Sequence, residues 1–420
     1  MYSLIIVDLV IFNAILYLST AVIYFYKRRV IDIGFILLSI YSFVAIMAIP
    51  CHYFLNVLWQ RNITLFPFLY LYIVLLLFFR AYLLPTDELC LRIKERNLNK
   101  LKLLAVIYIM SSVVVVILLL PQVFTNIVSG AWNEVRENLY EEGVSIPYYS
   151  PIDFLMMNFT NYSSSFMILL FFYFLAYQKV SKTFLFYFGL SILTTRFSLA
   201  LFMSSRGLLV EFILSIIVCF YLFKAKFTNS LLRHIKLLFG VLLFLILLYS
   251  FSVTASRFGD ETDKLPEEYS QNISLVDYFG QSFLVFNSGV YPMHTYANGK
   301  YMLKYLYSIA GEDTSIEQNV LGASYGTGFF TFVGALYIDF GPFFTILCAL
   351  LFPLFLKKRV TKRVIYLEDM YLYFFFLNLM LMGVFVIGSG VILSIIFAFI
   401  MYAYLRCAFY PKKITNVICN

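Results

Sequence analysis

Eleven stretches of this 420-residue chain are apolar over about the length of a bilayer crossing, and no other feature narrows the fold as much. A membrane-spanning helix needs roughly 20 such residues, because its backbone polar groups must bond within the helix once water is gone. The stretches cover 2–26, 33–55, 63–84, 103–124, 153–178, 183–204, 207–223, 237–254, 327–356, 370–387 and 390–409. Composition agrees: 62% of residues are hydrophobic and 13% charged, against about 25% charged in a soluble domain. The expectation is an all-α, polytopic integral membrane protein with about eleven transmembrane helices, forming one membrane domain over 1–420. The first stretch is too long for a cleaved signal peptide and no basic segment precedes it, so it reads as a retained span.

The connections carry the orientation. Basic residues follow the first, third, fifth, seventh, ninth and eleventh stretches: Lys27–Arg29, "CLRIKERNLNKLK", Lys179 and Lys182, "KAKFTNSLLRHIK", "KKRVTKR", and Arg406 with Lys412 and Lys413. These account for 22 of the 31 lysines and arginines, and simple alternation puts all of them at one end. The positive-inside rule makes that end cytoplasmic, with the N-terminus outside and the C-terminus inside. The net charge of +8 is thereby explained without a nucleic-acid partner. At the other end, loop 125–152 carries four glutamates. The longest connection, 255–326 between spans eight and nine, carries nine acids. Its short apolar runs, such as "LVDYFGQSFLVF", suggest short helices lying across the outer surface as an external subdomain.

The informative residues are charges inside apolar segments. "TTRFSLALFMSSRG" holds Arg196 and Arg206. An arginine in mid-bilayer costs about 3 kcal/mol on insertion scales, so each needs a reason. Arg196 lies about 20 Å along its helix, in the outer third of the hydrocarbon. Arg206 follows at the outer turn, where Gly207 lets the chain reverse, and Glu211 comes one turn later. One reading is an Arg–Glu pair tying two spans together. The other is an arginine cluster facing an external anion, since a guanidinium fork binds two phosphate oxygens at once. On one uninterrupted helix the two arginines would stand about 15 Å apart on different faces, with Arg196 deep in a cleft and Arg206 at its mouth guiding or pairing with Glu211. Arg257, just after span eight, adds a third guanidinium at similar depth, or an interfacial anchor. Arg61 and Arg136 are external, Arg80 can snorkel at the cytoplasmic end of span three, and Lys264, Lys300 and Lys304 read as surface lysines.

Asp339 sits in "GALYIDFGPFF", either paired with an arginine or facing a polar cavity, and Gly341–Pro342 after it should break the helix. Asp8 is a shallow interfacial acid. Of three histidines, His294 in "GVYPMHTYANGK" could serve as a general base or be an ordinary loop residue, while His52 and His234 suggest no chemistry. The six cysteines are scattered singly, with neither a disulfide framework nor a zinc spacing. Hydrolase and nucleotide-site motifs are absent, and no cofactor or metal is implied.

Taken together, the span count, the dominant late external loop, "SSRGLLVEF" and "GTGFFTFVGALYIDFGPF" resemble the Wzy-type O-antigen and capsule repeat-unit polymerases of bacteria. The likeness covers most of the chain as architecture and about 40 residues as local pattern; Pro342 and Phe343 stand where a glycine is expected. The resemblance implies a metal- and nucleotide-independent glycosyltransferase of the bacterial inner membrane, active on its outer face. It would join undecaprenyl-pyrophosphate-linked oligosaccharides, with surrounding membrane lipid and a chain-length regulator as further partners. It implies pyrophosphate or glycan contacts at Arg196, Arg206, Arg257, Arg136 and Tyr325, and a proton acceptor among Asp339, Glu211 and His294. The competing readings are an O-antigen ligase, which His294 keeps open, and a lipid-linked oligosaccharide flippase. A flippase is disfavoured by the absence of an internal repeat and by the long loop.

Overall fold

The computed structural model of the protein describes residues 2–54, 63–85, 89–94, 97–130, 132, 150–177, 180–259, 273–312, 329–385 and 391–409. Among these the chain is helical throughout, with a single isolated bridge between Ile93 and Ile365. The helices are α1 (Tyr2–Arg28), α2 (Ile33–Phe54), α3 (Leu65–Phe79), α4 (Leu98–Ser129), α5 (Pro151–Tyr177), α6 (Lys182–Phe202), α7 (Arg206–Phe223) and α8 (Asn229–Gly259). They continue with α9 (Ile273–Val285), α10 (Lys304–Ile309), α11 (Thr331–Val360), α12 (Leu367–Met382) and α13 (Val391–Ala408). Nine are long and apolar enough to cross a membrane: α1, α2, α4 to α8, α11 and α13. The shorter α3 and α12, of 15 and 16 residues, occupy the two remaining apolar stretches. The protein is a polytopic, all-helical membrane protein.

Two helices show how the sequence sorts between lipid and interior. α8 is apolar nearly all round, yet only 6% of its Asn229–Ile246 window is buried, with Leu237, Leu238 and Phe244 facing outward. Such a surface is stable only where hydrocarbon takes the place of water. α12 is the reverse: every residue from Leu367 to Asn378 is buried, and its one mid-helix amide, Asn378, donates to Ser215 Oγ at 2.9 Å. A hydrogen bond from a neighbouring helix is how membrane interiors tolerate a buried amide, although among the described residues Asn378 Oδ1 finds no donor.

The segments after α1, α3, α5, α7, α11 and α13 meet at one end of the bundle. Lys224 Nζ donates to Ile31 O, and Tyr177 Oη to the carbonyls of Cys90 and Ile93. Lys94 N reaches Ile365 O, and Lys100 Nζ reaches Ala408 O. This basic end gathers the connections that alternation grouped together. At the opposite end, Asn126 Nδ2 spans the carbonyls of Leu201 and Phe202, closing α4 onto the end of α6.

Segment 273–290 departs from the expected outer-surface helix. α9 is packed against α2, and residues 280–287 are buried. Gly280 makes this possible, since a Cβ there would lie 2.3 Å from the Met47 carbonyl oxygen. Phe283 stacks on Tyr17 with centroids 5.0 Å apart. The following π-turn, Phe286–Val290, presents Asn287, whose amide clasps both the N–H and the carbonyl of Thr64 at 3.0 and 2.7 Å. Within 273–312 it is α10 that is exposed over most of its length, as a surface helix should be.

Candidate functional site

Two buried charges organise the end opposite the basic loops. The first is Arg196, one and a half turns before the end of α6 and 3% exposed. Four helices supply its surroundings. Its Nη2 donates to Ser164 Oγ from α5; that hydroxyl in turn donates to Asn161 O, which leaves its lone pairs for the guanidinium. Glu211 from α7 lies 3.7 Å from Nη2, beyond the roughly 2.7–2.9 Å of a charge-assisted hydrogen bond. The Glu211 side chain keeps 28% exposure, so this carboxylate faces both the arginine and the outside. Tyr108 from α4 is within electrostatic reach of Arg196, with Ser112 and Thr195 beside its hydroxyl.

This neighbourhood is under-bonded. A guanidinium has five N–H donors. Among the described residues Arg196 Nε has no acceptor, and the Tyr108 hydroxyl and Ser112 Oγ, although neighbours, make no hydrogen bond of normal geometry. All three residues are nine-tenths or more buried. A buried polar group left without a partner costs about 1–3 kcal/mol. Three at one spot, in a segment that already holds an arginine, form a site with donors to spare. Tyr108, Ser112 and Ser164 did not stand out in the sequence. Their signal was hydroxyl-rich patches, "MSS" and "YSSS", inside otherwise apolar spans.

The turn between α6 and α7 differs from the sequence expectation. The chain reverses at Ser204, whose φ is 47°, and Ser205 N bonds Ala200 O at 2.9 Å. Gly207 instead lies in the first turn of α7, where an added Cβ would meet only Ser205 Oγ, in ordinary contact at 3.7 Å. Because the helix ends at Phe202, the 15 Å spacing of one continuous helix does not describe Arg196 and Arg206. Arg206 opens α7 and is half-buried. Ser205 at its N-cap makes no side-chain capping bond, so N–H groups at the positive end of this helix have no cap from it. Glu211, expected to answer Arg206, is the acid that reaches Arg196.

The second buried charge is Asp339 in α11. It meets neither an arginine among the described residues nor an open cavity; it is fully buried. The helix breaks where the sequence suggested, with Gly341 at φ 74° and ψ −177°. Pro342 has no N–H to give to the Ile338 carbonyl four residues back. The freed acceptors take the external segment instead: Ala297 N bonds Ile338 O at 2.8 Å, and Asn298 N bonds Asp339 O at 3.0 Å. The Asp339 carboxylate completes the dock, one oxygen accepting from Tyr301 N at 2.9 Å and the other from Met302 N at 2.7 Å. Tyr296 covers Gly341 so closely that a Cβ would come within 2.9 Å of its ring. Burial, with the Asp339 charge beside it, pushes the Tyr301 phenol up to about 12, so it stays protonated.

His294 sits in the exposed part of this docked segment. Tyr291, Tyr296 and Tyr337 pack below it as an aromatic group, with Tyr337 Oη on Tyr291 O at 3.0 Å. The structure brings Arg196 and Glu211 together. It holds Asp339 elsewhere: α6 packs on α4, α5 and α7, whereas α11 packs on α3 and α12. Arg136, Tyr325 and most of loops 125–152 and 255–326 other than 273–312 lie outside the described residues, as does the Arg257 side chain. No group of three or more metal-ligating side chains occurs among the described residues. No protein-family model, curated protein or solved structure matches the chain.

Proposed function

We propose that the protein is a membrane glycosyltransferase that joins oligosaccharide repeat units carried on a polyprenyl pyrophosphate, working at the outer leaflet of a bacterial inner membrane. The observation that carries this reading is the unspent hydrogen-bonding capacity around Arg196 at the end opposite the basic loops. By the positive-inside rule the basic end is cytoplasmic, so this site would face outward. A lipid-linked pyrophosphate offers the acceptor oxygens that Arg196 Nε, Tyr108 and Ser112 lack.

In this mechanism an acceptor sugar hydroxyl attacks the anomeric carbon of the donor glycan. The bond from that carbon to the pyrophosphate oxygen breaks, and the lipid pyrophosphate leaves with the electron pair. Its growing negative charge is stabilised by Arg196, by Arg206 and by the N-terminus of α7, in a setting with little water to compete. Glu211 takes the proton of the attacking hydroxyl: it is partly exposed and beside the guanidinium. His294 is the alternative base, and its exposure in the external segment favours the ligase reading, in which the acceptor is a separate glycolipid. Asp339, with each oxygen already bonded to a backbone amide, serves the loop rather than the proton. The test is complementation of a strain lacking the gene, with surface polysaccharide resolved on a gel. Arg196→Ala should leave single-repeat products. A normal ladder would remove the polymerase reading, and long lipid-linked polymer that never reaches its final acceptor would identify a ligase.

A further inference from the structure

We propose that the basic end of the bundle holds one anionic phospholipid in the groove between α3 and α11. The two helices pack together and both end at the basic face, so their last turns form a shared shallow groove. Buried Ala81 and Ala349 make the floor by being small. Leu350 and Leu354, 44% and 52% exposed, flank it and continue onto the outward apolar wall. Pro353 also lines the groove and cannot donate to the Ala349 carbonyl, so the helix is weakened where the cleft forms.

Two cations stand at the mouth, Arg80 at the C-terminus of α3 and Lys357 in the last turn of α11. Among the described residues neither has a carboxylate within ion-pair distance. Their neighbours show that this is not general at this end: Arg359 and Lys362 both reach Asp369, at 3.1 and 3.5 Å. Among the described residues Arg80 and Lys357 are therefore cations without a counter-ion, beside an apolar groove. A phosphate headgroup held by both, with its chain along Leu354 and Leu350, satisfies the charge and the apolar surface together. A water-borne anion would satisfy only the first. The simplest competing role is electrostatic: cations favour helix C-termini whatever is bound.

The experiment measures lipid retention by native mass spectrometry on the purified full-length protein, titrated with phosphatidylglycerol or phosphatidylcholine. It does not depend on the glycosyltransferase reading, since transfer is not measured. The expected result is selective retention of phosphatidylglycerol, weakened about fivefold by Arg80→Gln or Lys357→Gln and about 25-fold by both. Lys358→Gln, an exposed neighbour outside the groove, should leave retention unchanged. Equal retention of the two lipids, or full retention by the double variant, overturns the proposal. So does equal thermal protection by inorganic phosphate alone. A double variant that melts earlier in lipid-free detergent but binds phosphatidylglycerol normally would leave only the helix-end role.

Discussion

Arg196 and Asp339 are both ionic side chains buried among apolar helices, and their surroundings differ in kind. Asp339 is closed: each carboxylate oxygen accepts a backbone N–H, and the carbonyls freed by the helix break are taken by the same external segment. Arg196 is open: one hydroxyl, one carboxylate at 3.7 Å, and an Nε that no described residue accepts from. A buried charge that is fully bonded fits a structural role; one that is only partly bonded has hydrogen-bonding capacity left over for a ligand. The difference separates a loop anchor from a candidate ligand site without recourse to motifs.

The contrast can be broken at either charge. The largest effect is expected at Arg196. Its replacement by alanine should reduce glycan transfer by about 10²–10³-fold, the usual cost of losing a donor to developing charge. Lysine should not restore it, since a point charge lacks the fork. Transfer assays on purified protein decide this, and near-normal turnover in Arg196→Lys would reduce the arginine to a simple counter-ion of Glu211. Asp339→Asn should act on stability instead. Its amide cannot accept both backbone N–H groups, leaving one unpaired at about 1–3 kcal/mol. The readouts are a lowered melting temperature and faster proteolysis within 291–312.

Gly341→Ala should cost a similar or slightly smaller amount, roughly 1–3 kcal/mol, from its positive φ and the contact with Tyr296. Adding Tyr296→Ala should relieve the contact but not the backbone strain, so the double variant should recover only in part. Tyr108→Phe is the smallest and most discriminating change. It removes a buried hydroxyl that makes no hydrogen bond of normal geometry among the described residues, so stability should hold or rise. If the hydroxyl serves a bound anion, transfer should fall about tenfold at an unchanged melting temperature.

Much of the architecture could be read beforehand because hydrophobic length is a strong signal: each of the eleven apolar stretches contains a helix. The break at Gly341–Pro342 was legible because proline chemistry is local. The Arg196–Glu211 pairing was legible as one option, from an acid one turn into the next helix. What fills the break was not. The dock at Ile338 and Asp339 is made by backbone amides of residues 297–302, and backbone bonds leave no trace in side-chain identity. The burial of α9 was hidden for a related reason. It is 13 residues long with Gln281 and Ser282 within it, so it falls short of a span, and Gly280 shows its role only once α2 lies against it. Ser204 took the positive φ expected near Gly207, because the turn begins three residues earlier than the glycine suggested.

The most direct measurement is the binding of undecaprenyl pyrophosphate to the purified protein, by native mass spectrometry, in the parent chain, Arg196→Lys and Asp339→Asn. An open site at Arg196 and a closed one at Asp339 require that Arg196→Lys lose most of the bound lipid pyrophosphate. Asp339→Asn, where folded, should keep it. Undiminished binding in Arg196→Lys, or loss confined to Asp339→Asn, would contradict the assignment.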